Sequence, residues 1–301
     1  MVGTDRADRL VTRVGPGPAA GEVADERSET VEISAPAKLT LSLRVTGARP
    51  DGYHEIESEM VTLDLADTLF IGPGNGLIIE PGTTWSDSRG RGVSEGPGTE
   101  AAGVPAGTDN LVVRALEAVG RSARVRLTKR IPVGAGLGGG SADAAAILRW
   151  AGCTDLGVAA GLGADVPFCV GGGRARVTGI GESVRGLTHQ AREFTLLLPP
   201  FGMDTGAVYR AWDAMLRAGS LPAEGSSGND LEAPALSVEP RLAVWRQALA
   251  AATGVEPHLA GSGSTWFVDG GPETYGLEDR PSLQVGKASA RLLRARTVPA
   301  I

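Results

Sequence analysis

Ile131-Pro132-Val133-Gly134-Ala135-Gly136-Leu137-Gly138-Gly139-Gly140-Ser141-Ala142-Asp143 packs five glycines into thirteen residues. Ahead of it, Ala123, Val125 and Leu127 alternate with Arg124, Arg126 and Thr128, the period-two signature of a strand. Behind it, Ser141 to Trp150 reads as a helix with Ser141 as N-cap and Asp143 in an acidic first turn. The order is therefore strand, glycine loop, helix N-terminus. Glycines let the chain turn and let backbone amides approach a ligand. The helix end adds unpaired N–H groups and partial positive charge, which together suit an anion, above all a phosphate. Lys129 and Arg130 add positive charge just before the loop.

Three readings of the loop compete. A Walker loop needs Lys and then Ser or Thr after the last glycine, and Ser141 follows Gly140 directly. Gly134, Gly136 and Gly139 match the dinucleotide G-x-G-x-x-G spacing, but Pro132 interrupts the junction and no second buried strand ending in an acid follows. A turn that binds nothing would carry the backbone entropy of five glycines without return.

Working outward, the 301 residues suffice for one large or two ordinary domains. A net charge of −6 with mixed signs argues against a general nucleic-acid binder. Cys153 and Cys169 lack metal-ligand spacing and are too few for a disulfide framework, so they read as reduced thiols. The absence of an apolar run near 20 residues or a signal-peptide core predicts a cytoplasmic protein with no membrane contact.

Residues 1–29, charged and rich in Gly and Pro, are expected to form a disordered tail. Ala37, Leu39, Leu41, Leu43 and Val45 predict a strand with Lys38 on its polar side, either solvated or functional. A loop from Gly47 to Gly52 leads to Tyr53-His54, a pair suited to stacking on and hydrogen-bonding a ring, or to starting a strand with one ring buried. Two β segments are expected near 55–65 and 67–71. Residues 82–108, rich in Gly, Ser and Thr, read as a flexible insertion. Asp109-Asn110 caps a helix.

Asp165 stands in the apolar stretch Leu162–Phe168. A carboxylate there needs a partner, and a lysine is the natural one, unless it only caps a turn before Pro167. Strands are predicted at 174–178 and 194–198. A helix from Thr205 carries Tyr209 and a core Trp212. Asn229-Asp230 is expected to cap a helix, and Pro240 to Ala252 to form another. A second glycine turn, Gly261-Ser262-Gly263-Ser264, falls between two β segments, 270–284 reads as loop, and 288–296 as a final helix. Strands and helices without strict alternation predict an α+β fold in two lobes that divide near residues 180–190.

Pro36-Ala37-Lys38-Leu39-Thr40-Leu41, the Pro132–Asp143 loop and Gly261-Ser262-Gly263-Ser264 together resemble the GHMP kinase superfamily. Gly47-Ala-Arg-Pro-Asp-Gly-Tyr-His54 and Leu162-Gly-Ala-Asp-Val-Pro-Phe168 narrow the resemblance to its 4-diphosphocytidyl-2-C-methyl-D-erythritol kinase family. That resemblance implies a two-lobed α+β fold with the active site in the cleft between residues 30–185, a nucleotide-binding lobe, and residues 186–301. It implies ATP-dependent phosphorylation of the substrate's 2-hydroxyl, with Mg²⁺ as cofactor. Lys38 and Asp165 would be the catalytic pair. Pro132, Val133, Gly134, Ala135, Gly136, Leu137, Gly138, Gly139, Gly140, Ser141 and Ala142 would hold the ATP phosphates, with Ser141 also a Mg²⁺ ligand directly or through water. Asn110 and Lys129 fall where the family contacts adenosine. Tyr53 and Tyr209 would sandwich the cytosine, His54 would bond its edge, and Thr205 and Gly263 would complete the substrate site.

The sequence departs from the family at Thr40, where the family usually has Asn, and in the length of the 82–108 insertion; beyond Val268 it matches poorly, and no function is assigned there. A homoserine- or mevalonate-type kinase would share the glycine motifs without needing a cytosine site, and a non-catalytic nucleotide-binding relative would share the loop alone.

Overall fold

The alternation around Lys38 belongs to a long strand, β1 (Val31–Ala48), which pairs antiparallel along its length with β2 (His54–Gly72). The computed structural model describes residues 30–82, 85–86, 92–93, 104, 107–222 and 228–301. The expected tail at 1–29 and most of the 82–108 insertion lie outside the described residues. Where two β segments were expected, β2 is continuous. Its two acids near the expected boundary are accommodated: Asp67 is buried in an ion pair, and Asp64 accepts a hydrogen bond from the Arg296 amide.

Next come β3 (Gly76–Pro81), the short paired strands β4 (Trp85–Ser86) and β5 (Gly92–Val93), and α1 (Leu111–Ala118). Asn110 caps α1 as its position predicts, its side chain accepting from the Val112 amide at 2.8 Å. Strand β6 (Arg124–Lys129) leads through the glycine loop into α2 (Gly139–Trp150). Then follow α3 (Leu156–Leu162), α4 (Val166–Gly171), β7 (Arg174–Gly179) and β8 (Ser183–Leu187). The first sheet runs β3-β6-β2-β7-β8, with β1 on β2; only β3 and β6 pair in parallel. Ala142, Ala144, Ala145 and Ala146 are buried on α2, and such short side chains let it lie close against the sheet.

The second sheet, β10-β11-β9-β13-β12, is antiparallel throughout. It comprises β9 (Glu193–Leu198), β10 (His258–Leu259), β11 (Trp266–Asp269), β12 (Ser282–Val285) and β13 (Ala288–Arg296). Helices α5 (Thr205–Ala218), α6 (Glu232–Val238) and α7 (Arg241–Thr253) accompany it. The helix expected at 288–296 is strand β13. Its Leu, Ala and Arg favour helix intrinsically, but it pairs with β9, and Arg294 and Arg296 both bind Glu193 there. The stretch 270–284, read as loop, holds a 3₁₀ turn at Pro272–Tyr275 and most of β12.

Ala37, Leu39, Val61 and Leu63 from the first sheet pack with Phe194, Leu196, Leu198 and Phe267 from the second. Leu39 and Leu63 are fully buried, each stabilising by roughly 1.5–3 kcal/mol. This shared core brings the two glycine turns together.

Candidate active site

The glycine loop is anchored on three sides through its carbonyls. Lys38 donates its amide to Leu137 (3.0 Å), Met203 to Gly134 (2.9 Å) and Thr265 to Ala135 (3.2 Å). Two glycines are demanded by close packing. A Cβ on Gly136, at φ +78°, would lie 2.5 Å from the Ala260 carbonyl oxygen and 2.7 Å from that of Gly263. A Cβ on Gly138, at φ +69°, would lie 2.7 Å from Lys38 Cγ. Helix α2 begins at Gly139, earlier than the expected Ser141 cap, with left-handed Gly138 as N-cap and no side-chain capping bond. The first-turn amides of Gly139, Gly140 and Ser141 therefore have no capping side chain among the described residues, which leaves them open to an anion.

Lys38 and Asp165, distant in sequence, meet beside this loop. Lys38 Nζ lies 3.3 Å from Asp165 Oδ2, with side chains 7% and 30% exposed. Asp165 does occupy the N-cap position of α4, but its side chain makes no capping bond and turns to the lysine instead. Lys38 Nζ also donates to Thr40 Oγ1 at 3.1 Å, so Thr40 supplies a polar contact at the position where an Asn was expected.

Both residues line a cavity of about 470 Å³ together with the loop from Pro132 to Ser141, Asn110, Lys129, His54, Thr205 and Tyr209. Ala142 is buried behind the loop, and Gly263 packs against Leu259 and Met203; neither lines the cavity.

Lys129 is buried between two carboxylates, bonded to Asp67 Oδ2 and, at 2.8 Å, to Asp143 Oδ2. Burial works against its charge, but the two carboxylates outweigh it and raise its pKa. Burial pushes Asp143 up to about 7 against the pull of Lys129. Asp67 Oδ1 also accepts from the Arg130 and Ile131 amides. The network thus ties the end of β6 and the residues that open the glycine loop to α2 at Asp143, one turn in from its start. Sequence reading missed Asp67, which it took only as the first residue of a β segment. It read Asp143 as the acid of the first helical turn, but α2 starts at Gly139, so Asp143 lies beyond that turn and pairs with Lys129 instead.

At the other end of the cavity, His54 stacks on Tyr209 (centroids 4.8 Å apart, planes 24°), meets Trp212 edge-on, and holds Nε2 2.8 Å from Asp213 Oδ1. Tyr53 is 60% exposed and does not line the cavity. The structure brings His54, not Tyr53, onto the Tyr209 ring. Burial, with help from the Asp165 charge, raises the Tyr209 phenol, so it stays protonated.

The second glycine turn is tied to its surroundings by side chains. Ser262 Oγ and Thr205 Oγ1 are hydrogen-bonded at 2.9 Å, and Ser264 Oγ donates to the Phe201 carbonyl at 2.6 Å. Asn229, expected to cap a helix, directs its Nδ2 to the carbonyls of Leu259 and Gly261 (2.9 and 2.7 Å), while its Oδ1 accepts from the Leu231 amide. Helix α6 itself is preceded by Leu231. Asp230 Oδ2 accepts from the Val45 amide, joining β1 to this region. Cys169 is buried behind Asp165, and burial pushes its thiol up to about 12.

No grouping of three acidic, His or Cys side chains suited to a metal occurs among the described residues. Mg²⁺ usually keeps several waters and binds through one or two carboxylates plus substrate phosphates, to which phosphate-binding loops can add a Ser or Thr hydroxyl. Ser141, lining the cavity at the start of α2, fits that pattern.

Comparison with known proteins agrees with this arrangement. Residues 110–173 match the GHMP kinases N terminal domain. The 4-diphosphocytidyl-2-C-methyl-D-erythritol kinase of Paracoccus denitrificans (strain Pd 1222) is 38% identical over 251 residues, covering 78% of this chain and 85% of the relative. That of Cereibacter sphaeroides (strain ATCC 17025) is 36% identical over 289 residues, covering 88% and 94%. A crystal structure of 4-(cytidine 5'-diphospho)-2C-methyl-D-erythritol kinase superposes with a TM-score of 0.62 at 29% identity, over 88% of this chain and 98% of that one. A homoserine kinase from Cytophaga hutchinsonii shares the fold at 16% identity, with a TM-score of 0.54 over 94% of this chain and 98% of its own. No helix among the described residues is long and apolar enough to cross a membrane. With the glycine loop, the Lys38–Asp165 pair and these relatives in agreement, the chain is a small-molecule kinase that belongs to the 4-diphosphocytidyl-2-C-methyl-D-erythritol kinase family of the GHMP superfamily.

Proposed function

We propose that the chain transfers the γ-phosphoryl group of ATP to the 2-hydroxyl of 4-diphosphocytidyl-2-C-methyl-D-erythritol, giving ADP and the 2-phosphate. The observation that carries this reading is the Lys38–Asp165 pair, 3.3 Å apart and lining one cavity with the glycine loop. Phosphoryl transfer asks a protein for alignment and charge stabilisation more than for covalent chemistry. The first-turn amides of α2 hold the phosphates. Asp165 accepts the hydroxyl proton as the oxygen–phosphorus bond forms and the bond to ADP breaks. Lys38 orients Asp165 and offsets charge on the transferring group. Ser141 would hold Mg²⁺, which when bound neutralises charge on the phosphate oxygens.

In this reading residues 30–185 form the nucleotide-binding lobe and 186–301 the other, and the enzyme works in the cytoplasm on a small molecule, without nucleic acid or membrane. Lys129 acts on the nucleotide side indirectly, since both of its carboxylate contacts are inside the protein. Asn110 lines the same cavity and would serve the adenosine end. Tyr209 and His54 serve the cytidyl end, which Tyr53 reaches only by closing over it; Thr205 and Gly263 support that end. A coupled ADP-release assay over the cytidyl substrate, homoserine, mevalonate and galactose tests the reading. Turnover confined to the cytidyl substrate is expected, and turnover of homoserine or mevalonate in its place refutes it.

A further inference from the structure

His54 is held by one face of α5. Tyr209, Trp212 and Asp213 stand at i, i+3 and i+4, which places them side by side on a helix. Each meets a different part of the imidazole: Tyr209 its face at 4.8 Å, Trp212 its surroundings edge-on at 5.3 Å, and Asp213 its Nε2 at 2.8 Å. The His54 side chain is 8% exposed and lines the cavity. An ionised carboxylate only accepts, so Nε2 is the nitrogen that carries the proton, and in the neutral ring Nδ1 becomes an acceptor. Nδ1 has no hydrogen bond to any described residue.

We infer that Asp213 is a specificity-positioning residue: by taking the Nε2 proton it fixes His54 Nδ1 as an acceptor, selecting a nucleobase that offers an exocyclic amine over one that offers a carbonyl. The inference rests on the cytidyl reading above. A cytosine amine donates to such a nitrogen, whereas the uracil carbonyl sets lone pair against lone pair. Without Asp213 the ring is free to change tautomer, and Nδ1–H then welcomes the carbonyl instead.

The test measures CDP and UDP binding to the full chain by calorimetry, in the wild type, Asp213→Ala and Asp213→Glu. The wild type should favour CDP by about tenfold or more, the scale of one hydrogen bond. Asp213→Ala should bring the two within about twofold, and Asp213→Glu should restore part of the preference. ATP affinity and thermal melting serve as folding controls. Because the chain has three histidines, ¹⁵N-histidine NMR can read the His54 tautomer directly. The wild type should show the Nε2–H form, and a wild-type Nδ1–H form overturns the inference whatever the variants do. A wild type that prefers CDP, with Asp213→Ala keeping that preference, refutes the role of Asp213 alone. A wild type with no CDP preference refutes the cytidyl reading and the inference with it.

Discussion

Replacing Gly138 with alanine strikes Lys38. The new Cβ would lie 2.7 Å from Lys38 Cγ and 3.1 Å from Cε, and Gly138 sits at φ +69°. A left-handed alanine costs about 1–2 kcal/mol. The first atom touched is Cγ, near the root of the side chain, so relief requires rotation about χ1 and carries Nζ away from Asp165. Little room exists for that rotation: Thr40 Oγ1 lies 3.1 Å from Nζ, and the lysine is 7% exposed. Holding it off-rotamer adds about 0.5–1.5 kcal/mol. Gly138→Ala should therefore lose about 1.5–3.5 kcal/mol of stability. Its phosphoryl-transfer rate should fall about 10²-fold, the scale of a lost acid–base contribution. Urea denaturation gives the first quantity and single-turnover kinetics at saturating ATP the second. Gly140→Ala is the stability control, because its Cβ would meet only Leu111 Cδ1 at 3.5 Å. A Gly138→Ala enzyme with wild-type single-turnover rate would refute the idea that this glycine exists to make room for Lys38.

Asp165→Asn keeps the shape of the side chain but removes charge and proton acceptor; kcat should fall about 10²-fold or more with both substrates still bound. Lys38→Ala should do similar harm, and the double variant should be little worse than either, since residues acting as a unit are non-additive; additive losses in single-turnover kinetics count against the pair. Lys129→Met leaves two buried carboxylates without their cation and should destabilise by about 3–5 kcal/mol in urea denaturation, and a loss below about 1 kcal/mol would show that the network does not brace the loop. Tyr53→Ala removes an exposed ring and should leave melting and ATP binding unchanged while raising KM for the cytidyl substrate about 5- to 150-fold; equal losses for both substrates would place the ring elsewhere. With its thiol raised from 9.0 to about 12, Cys169 stays protonated across neutral pH. Its thiolate at pH 8 is about 10³-fold scarcer than in the unfolded chain, so mass spectrometry after iodoacetamide should find half-buried Cys153 modified first, and equal rates would contradict the burial.

The parts of the site that could be read in the sequence are those where local pattern and chemistry coincide. The glycine loop announces itself by composition, and the alternation around Lys38 by period. Asp165 stands out as a charge in apolar company. The start of α2 was misplaced because Ser141 is a better N-cap by residue type, yet Gly138 alone fits a left-handed turn packed against Lys38. Strand β13 was hidden because its helix-favouring composition yields to pairing with β9, a partner about a hundred positions earlier. Asp67, Asn229 and Asp213 carry no local signal of their roles. Each acts on a group far away in the chain: Lys129, the Gly261 turn and His54.

The three anchors of the glycine loop bear on the thermodynamics of nucleotide capture. With the carbonyls of Gly134, Ala135 and Leu137 already bonded to Met203, Thr265 and Lys38, the loop's dipoles are oriented before any ligand arrives. A phosphate entering such a loop displaces water without having to freeze a mobile segment. Its binding free energy then carries little penalty for ordering the backbone, and its heat-capacity change should be small, unlike that of a loop that folds around its ligand. Rigidity at this position also reaches the second substrate. The amides that hold the loop belong to β1, to the turn before α5 and to the turn before β11, so any displacement of the loop by nucleotide is handed directly to Lys38, to the helix bearing Tyr209, and to the second sheet.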